Sequence, residues 1–207
     1  MTVELCAAGS LPCSDQIIQK ISPSVHEAGN PYFDFIFGSH ESAAAALTRW
    51  MRRASSEISI ERAFCLSLGG QPLGGFIAMP GAELAACRRL DAAALTMSGN
   101  RERRELISKR LELTSDLFPA VGEDEFYLSK MWVDPDHQGA GYASALMEHY
   151  LCAGRRRGFT QFRLDVCADN DRAIRVYRRF GFQELRECSA PEAGLRYLAM
   201  AAQQPTE

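Results

Sequence analysis

The stretch WVDPDHQGAGYASALMEHY, from Trp132 to Tyr150, places the tightest constraint on the fold. An apolar run ends in a proline turn, and a glycine-bearing loop then opens a segment whose apolar residues recur at helical spacing. These apolar residues are Ala143, Leu146, Met147, Tyr150 and Leu151. A helix at about 140–157 would bury this stripe by packing on a sheet. The stretch therefore predicts a strand, a tight loop and a helix in succession.

The loop between this strand and helix has two interpretations. Its small residues would let a ligand approach the backbone at a helix start, where unpaired N–H groups and the helix dipole favour anions. The same glycines would also allow close packing of the helix on the strand, without any ligand. Neither G-x-x-x-x-G-K-[ST] nor a Rossmann-type G-x-G-x-x-G occurs in the chain. Kinase-like and dehydrogenase-like proteins are therefore not indicated.

Strands and helices alternate along the rest of the chain. Strands are expected at 3–7, 126–133, 162–166, 182–187 and 195–201, with a β-hairpin turning at Gly69-Gly70-Gln71-Pro72. Helices are expected at 14–22, 39–57 and 171–180, and a helical segment at 88–118 is broken at Ser98-Gly99-Asn100. This order predicts one α/β domain over residues 1–207 with a mixed sheet and a helical insertion at about 82–123.

An aromatic segment, GNPYFDFIFG, lies between the first two helices and is bounded by Gly29 and Gly38. We expect it to be a loop that inserts into the core. The alternative is that it forms one wall of a substrate pocket.

Composition excludes several classes of protein. With 207 residues, 46% of them hydrophobic, the chain can bury a sizeable core. The net charge of −3 gives no basic field for nucleic acid. Seven scattered cysteines indicate free, mostly buried thiols in a reducing compartment, and four histidines show no metal-ligand spacing. No basic leader or apolar run of about 18 residues is evident, so we expect a soluble, cytoplasmic protein without membrane partners.

Two motifs resemble those of the GNAT superfamily of acyl-coenzyme A-dependent N-acyltransferases. Its motif A reads Gln or Arg, two residues, Gly, one residue, Gly or Ala, and Gln138, Gly141 and Ala143 fill it. The segment NDRAIRVYRRFGF, from Asn170 to Phe182, resembles motif B of the superfamily. Two motifs in the correct order are more specific than either alone. The resemblance covers about 126–182 and implies a splayed mixed sheet of about six to seven strands flanked by helices.

The resemblance also implies an N-acetyltransferase that uses acetyl-coenzyme A and a primary amine of a small molecule or a peptide. Loop N–H groups and the Ser144 hydroxyl would hold the pyrophosphate, and the strand before the loop would pair with the pantetheine arm. The implied coenzyme-binding residues are Met131, Trp132, Val133, Gln138, Gly139, Ala140, Gly141, Tyr142, Ala143, Ser144, Asn170, Ala173 and Tyr177. An acyltransferase for a longer acyl group or a protein amine, and a non-catalytic acyl-coenzyme A-binding or regulatory protein, are the alternatives.

Individual roles follow from the same resemblance. Tyr177 would be the general acid that protonates the departing thiolate, unless it only packs in the core. Asn170 would contact the pantetheine or cap the helix that follows. Carboxylates that could act as the base are Glu123, Asp124, Glu125 and Asp34, although each is more readily a surface group and a water chain could serve instead. A homodimer is the default expectation for assembly.

Overall fold

The computed structural model describes residues 3–10, 14–69 and 71–205. In this part of the chain the strands form one seven-stranded sheet in the order β1-β2-β3-β4-β5-β7-β6. The strands are β1 (Val3–Ala7), β2 (Ala63–Leu68), β3 (Gln71–Pro80), β4 (Glu125–Val133), β5 (Gln161–Cys167), β6 (Gln183–Ala190) and β7 (Leu195–Gln203). β4 and β5 are parallel, and every other neighbouring pair is antiparallel. The predicted mixed α/β sheet is confirmed; Gly70, in the predicted hairpin turn, lies outside the described residues.

Seven α-helices flank the described sheet. They are α1 (Ser14–Gly29), α2 (Tyr32–Phe37), α3 (His40–Met51), α4 (Gly81–Thr96), α5 (Arg101–Leu113), α6 (Tyr142–Arg156) and α7 (Asp171–Arg179). The helical insertion is the pair α4 and α5, and Asn100 caps α5 by accepting a hydrogen bond from the Arg103 N–H at 2.9 Å. The break predicted at Ser98-Gly99-Asn100 is therefore confirmed.

Several helices differ from the sequence prediction. α3 ends at Met51 instead of Glu57, and the helical pair runs from Gly81 to Leu113 instead of from Arg88 to Phe118.

Two further differences arise from burial. α1 continues to Gly29 instead of ending at Ser22, although Pro23 lies inside it. Its buried face continues through Val25 and His26 onto the core, which offsets the local cost of the proline. The segment expected to be an inserted loop is mostly the short helix α2, whose Phe33, Ile36 and Phe37 are buried. The prediction of a core insertion was correct, and the prediction of a loop was wrong.

The sheet separates two hydrophobic cores. One face packs against α1 to α5, and the other packs against α6 and α7. Side chains of β4 alternate between them, so Phe126 and Leu128 face α6 while Tyr127 faces the first core. No helix in the described residues has both the length and the apolarity needed to cross a bilayer.

The parallel strands β4 and β5 separate halfway along their length. Pairing runs from Glu125 with Gln161 to Leu128 with Leu164 and stops there. At the same point β4 contains a bulge, because Ile77 of β3 pairs with Lys130 and Ala78 pairs with Leu128, which leaves Ser129 as the extra residue. The expected splay is therefore present, and the edge of β4 from Ser129 to Val133 is free on its β5 side.

Candidate active site

The glycine loop before α6 has open space in front of its backbone. Gly139 and Gly141 both have φ of +86°, a left-handed conformation that side chains disfavour. A Cβ built on either glycine would meet no atom within 4 Å, so the space in front of the loop is empty. The backbone N–H groups of residues 139–143 donate no hydrogen bond within the described part of the chain. Residues 138–144 therefore fit a pyrophosphate, which needs a row of free N–H groups at a helix start.

Helix α6 starts two residues later than the sequence predicts. α6 begins at Tyr142, and the expectation of a helix from Ala140 is wrong because Gly141 is in the left-handed region. Gln138, Gly139 and Ala140 therefore belong to the loop, whereas Ala143 and Ser144 belong to the first helical turn.

Two arginines of α7 reach this loop, and the sequence reasoning missed both. Arg172 donates a hydrogen bond to Gln138 Oε1 at 2.6 Å, and Arg179 donates one to the Ser144 hydroxyl at 3.3 Å. Both contacts lie on exposed surface and place positive charge beside the open N–H groups. The sequence could have indicated them, because two arginines seven residues apart on one helix lie on the same face.

The predicted pantetheine edge is the free half of β4. Met131, Trp132 and Val133 pair with β3 on one side and have no β5 partner on the other. The outward backbone groups of this edge are therefore available to an added extended chain, except that the Val133 carbonyl already accepts a hydrogen bond from the Gln138 side-chain amide at 3.5 Å. The Trp132 side chain itself is buried against Gly75, where a Cβ would come within 2.5 Å of the indole. The Trp132 carbonyl faces β3, because a Cβ on Gly74 would lie 2.6 Å from its oxygen, so Met131 and Val133 provide the outward groups of the edge.

The motif B helix holds the remaining predicted residues. Asn170 caps α7 by accepting a hydrogen bond from the Ala173 N–H at 3.0 Å, so its capping role is present in the structure. Tyr177 lies with its ring 6.1 Å from that of Phe182, beside the α6–α7 core. Burial raises the pKa of the Tyr177 phenol to about 12, which keeps it protonated as a proton donor must be.

A cavity of about 320 Å³ lies on the opposite face of the sheet, next to the point where β4 and β5 separate. Its walls come from α1 to α5 and from strands β4, β5 and β7. The aromatic lining residues are Tyr32, Phe33, Trp50, Phe118, Tyr127 and Tyr197, and the charged ones are Glu57, Arg88, Asp91, Lys130 and Asp165. The aromatic segment 29–38 therefore serves both predicted alternatives, because it packs in the core and also walls this cavity.

Most of the charge in the cavity is paired within the protein. Glu57 accepts hydrogen bonds from the Ser129 hydroxyl at 2.6 Å and from Arg88 at 3.1 Å, and Lys130 lies 3.9 Å from it. Burial alone would raise the pKa of the Glu57 carboxyl, but the attraction of Arg88 and Lys130 and the Ser129 hydrogen bond outweigh it and lower the pKa to about 2. Glu57 is therefore a poor proton acceptor at neutral pH.

Asp165 differs from Glu57 because only one of its two carboxylate oxygens has a hydrogen-bond partner. One of its carboxylate oxygens accepts a hydrogen bond from the Tyr127 hydroxyl at 2.9 Å, and the other has no hydrogen-bond partner although the side chain is 2% exposed. Burial raises the pKa of the Asp165 carboxyl above its usual value, against the lowering effect of Arg88. Asp165 follows Leu164, the last β5 residue that pairs with β4. A buried carboxylate with a raised pKa at this point has the properties of a general base.

The sequence reasoning missed Asp165, although a signal was available. Phe162, Leu164 and Val166 alternate along β5 and face α6, so Asp165 must face the other side of the sheet. Arg163 shares that face of β5, and two charged residues at buried positions of a central strand are costly to bury, which indicates a functional or ion-paired cluster.

The four carboxylates nominated from the sequence serve other purposes here. Glu125 accepts a hydrogen bond from the Gly122 N–H, and Asp124 accepts one from the Gln161 amide. With the exposed Glu123 they lie at or just before the first β4–β5 pair, at the opposite end of the paired segment from the split. Asp34 accepts hydrogen bonds from Asn30 at 3.0 Å and shares a 2.7 Å contact with His26.

Two histidines that looked scattered in the sequence meet at Asp34. His26, Asp34 and His40 come from α1, α2 and α3, and their ligand-type atoms lie within 4.8 Å of one another. The sequence shows no metal-ligand spacing among the histidines, and only the fold brings this pair together from separate helices. The direct His26 Nε2 to Asp34 Oδ1 contact fixes α2, and with it the aromatic wall of the cavity, against α1.

The described cysteines agree in part with the sequence prediction. Cys6, Cys65, Cys87, Cys152, Cys167 and Cys188 are free thiols; of these, Cys65, Cys87 and Cys188 are buried and the others are partly buried. Cys13 lies outside the described residues. Neither the cavity lining nor the glycine loop includes a cysteine, which fits a transfer reaction without a thiol nucleophile.

Comparison with known proteins shows the family to which the chain belongs. The model of the acetyltransferase (GNAT) family matches residues 34–182, which is more than half of the chain, and the chain belongs to this family. The [ribosomal protein bS18]-alanine N-acetyltransferase of Escherichia coli (strain K12) is 41% identical over 61 residues, which cover 30% of this chain and 41% of that protein. The chain thus spans about two fifths of the length of this curated relative.

Solved structures share the fold over nearly the whole chain. An N-acetyltransferase from Staphylococcus aureus Mu50 superposes with a TM-score of 0.68 at 13% identity, covering 91% of this chain and 96% of that one. The PaiA N-acetyltransferase from Thermoplasma acidophilum, solved in complex with coenzyme A, gives a TM-score of 0.56 at 10% identity, covering 98% and 99%. At these identities the likeness concerns the fold, which confirms the GNAT architecture.

Proposed function

We propose that this chain transfers an acetyl group from acetyl-coenzyme A to a primary amine, which attacks the thioester directly. The observation that carries the proposal is the split between β4 and β5. On one side of the split lie the open glycine loop, the free β4 edge and Tyr177. On the other side lies a cavity containing the half-satisfied Asp165. Two substrates could therefore meet at the split from opposite faces of the sheet.

Each step of the transfer has a candidate group in the chain. The amine nitrogen attacks the thioester carbonyl carbon, and Asp165 takes the proton that the nitrogen loses. A backbone N–H of the free β4 edge would stabilise the oxyanion. The carbon–sulfur bond then breaks, and the thiolate takes its proton from Tyr177. The loop at residues 138–144, with Arg172 and Arg179 beside it, would hold the coenzyme pyrophosphate and so position the thioester.

Acetyl-coenzyme A and coenzyme A are both expected to raise the melting temperature. A ligand that binds only the folded state stabilises it by about 2.7 kcal/mol at 100 times its dissociation constant. Pantetheine, which lacks the pyrophosphate, is the control and should raise the melting temperature less. Thiol release from acetyl-coenzyme A is then measured with a panel of amines. No thermal shift at millimolar coenzyme A would show that the loop is only a packing junction.

Replacement of Tyr177 by Phe is expected to lower kcat about 100-fold while coenzyme A affinity changes little. The ring would keep its contact with Phe182, and only the proton donor would be lost. Steady-state kinetics and coenzyme A titration of the same preparation measure the two quantities. A loss of affinity as large as the loss of kcat would contradict the general-acid role.

Three expectations from the sequence remain proposals. We propose that the acyl group is acetyl, that the protein acts in the cytoplasm, and that it forms a homodimer.

A further inference from the structure

We infer that the acceptor is a small monoamine with an apolar, preferably aromatic, body. This inference rests on the proposed function and concerns the cavity on the α1–α5 face. The cavity has a volume of about 320 Å³, at the small end of the range for small-molecule sites. A small acceptor therefore fits it without any change in the surrounding helices.

The cations of the cavity leave no site for an anionic group on the acceptor. Arg88 is bonded to Glu57 and to the Tyr127 hydroxyl, and its guanidinium lies 5.5 Å from the centre of the Phe118 ring. Lys130 donates to the Ser129 carbonyl at 2.9 Å and lies 5.3 Å from the centre of the Phe33 ring. A carboxylate or phosphate on the acceptor would have to displace Glu57 from both cations. An acceptor without negative charge is therefore favoured.

One carboxylate is available to an ammonium group. Asp165 lines the cavity, its side chain is 2% exposed, and one of its oxygens has no hydrogen-bond partner. Arg88 lies 3.9 Å from the other, Tyr127-bound oxygen of Asp165, whereas at Asp91 it is the oxygen without a hydrogen bond that Arg53 faces, at 3.8 Å. A single ammonium therefore has a counter-ion at Asp165, next to the split. A second ammonium would meet Arg53, Arg88 or Lys130 instead.

Aromatic rings make up much of the rest of the wall, beside the hydroxyl groups of Thr114, Ser115 and Tyr197. Three rings form a continuous edge-to-face row, because Phe118 lies 4.9 Å from Tyr32 and 5.0 Å from Tyr197 between ring centres. Tyr32 belongs to α2, which the contact between His26 and Asp34 fixes against α1. Faces and edges of fixed rings favour a flat apolar body on the acceptor.

The test compares four amines at saturating acetyl-coenzyme A by thiol release. They are 2-phenylethylamine, ethylamine, 1,4-diaminobutane and a pentapeptide that begins with alanine. We expect kcat/KM for 2-phenylethylamine to exceed that for ethylamine tenfold or more, because the ring becomes buried. We expect the diamine and the peptide to be poorer than 2-phenylethylamine by at least the same factor.

A pair of variants on α4 tests whether the cavity causes this preference. Ala92 lines the cavity, and Ala86 is exposed on the same helix. Ala92→Phe fills the cavity and should lower the ratio of kcat/KM for 2-phenylethylamine over ethylamine at least fivefold. Ala86→Phe makes the same change outside the cavity and should leave the ratio unaltered. Circular dichroism and coenzyme A titration confirm that both variants are folded.

The outcomes separate this inference from the proposed function. Equal kcat/KM values for 2-phenylethylamine and ethylamine, preference for the diamine or the peptide, or a ratio that Ala92→Phe leaves unchanged would overturn the inference alone. Coenzyme A binding without turnover of any of the four amines would also overturn it. Absence of coenzyme A binding by the wild-type protein would overturn the proposed function itself.

Discussion

Replacement of Gly141 by glutamate is expected to abolish coenzyme A binding in a protein that still folds. Gly141 has φ of +86°, and a Cβ there would point into empty space in front of the loop. The new carboxylate would compete with the pyrophosphate for the free N–H groups and would repel its charge. Isothermal titration should show no heat at ligand concentrations that saturate the wild-type protein.

Gly158 provides a matched control at the other end of α6. It has the same φ of +86°, and a Cβ there also meets no atom within 4 Å. Gly158→Glu therefore carries the same conformational cost, about 1–2 kcal/mol, and the same change of charge. It should bind coenzyme A like the wild-type protein. Equal loss of binding in both variants would mean that strain, and not occupation of the loop, is responsible, and the pyrophosphate assignment would be wrong.

Replacement of Asp165 by Asn is expected to lower kcat by 100-fold or more, within the range typical of a lost general base. An asparagine oxygen can still accept the Tyr127 hydroxyl, so the local packing should persist. Because burial raises the pKa of the Asp165 carboxyl, its ionised form destabilises the folded state at neutral pH, and the neutral amide should not lower the melting temperature. Coenzyme A affinity should not change, since the loop lies on the other face.

The pH profile distinguishes a base from a merely structural carboxylate. Asp165 accepts a proton only when ionised, so kcat of the wild-type protein should fall as pH decreases through its raised pKa, above the usual value of 3.8. This fall of kcat at low pH, the acid limb of the pH profile, should disappear in Asp165→Asn. Asp116→Asn removes an exposed carboxylate and should keep both the limb and kcat. An unchanged limb in Asp165→Asn would assign the proton to another group.

The elements that carry the proposed coenzyme residues were largely predictable because these residues are close together in the sequence. Gln138, Gly141 and Ala143 lie within one loop and helix start, and their function depends on local backbone geometry. Asn170 and Tyr177 lie on one short helix at a fixed spacing. The structure confirms the predicted elements around them and changes only the start of α6, by two residues.

The acceptor side was not predictable in the same way because its residues are distant in the sequence. Glu57, Arg88, Ser129 and Asp165 come from four separate segments, and only tertiary packing brings them together. The carboxylates nominated near β4 are close to this strand in the sequence. The pairing of β4 with β5 places them at the end of β4 that is far from the split.

The sequence by itself determined the alternation of strands and helices, the two motifs, and the conformation of the glycine loop that belongs to the first motif. These depend on periodicity and on the backbone freedom of glycine, which act over a few residues. The tertiary structure alone decided where β4 and β5 separate, that α1 passes through Pro23, and that Asp165 is buried beside an aromatic cavity. Burial and long-range pairing set these features, because the free energy of ordering a residue depends on neighbours from distant parts of the chain.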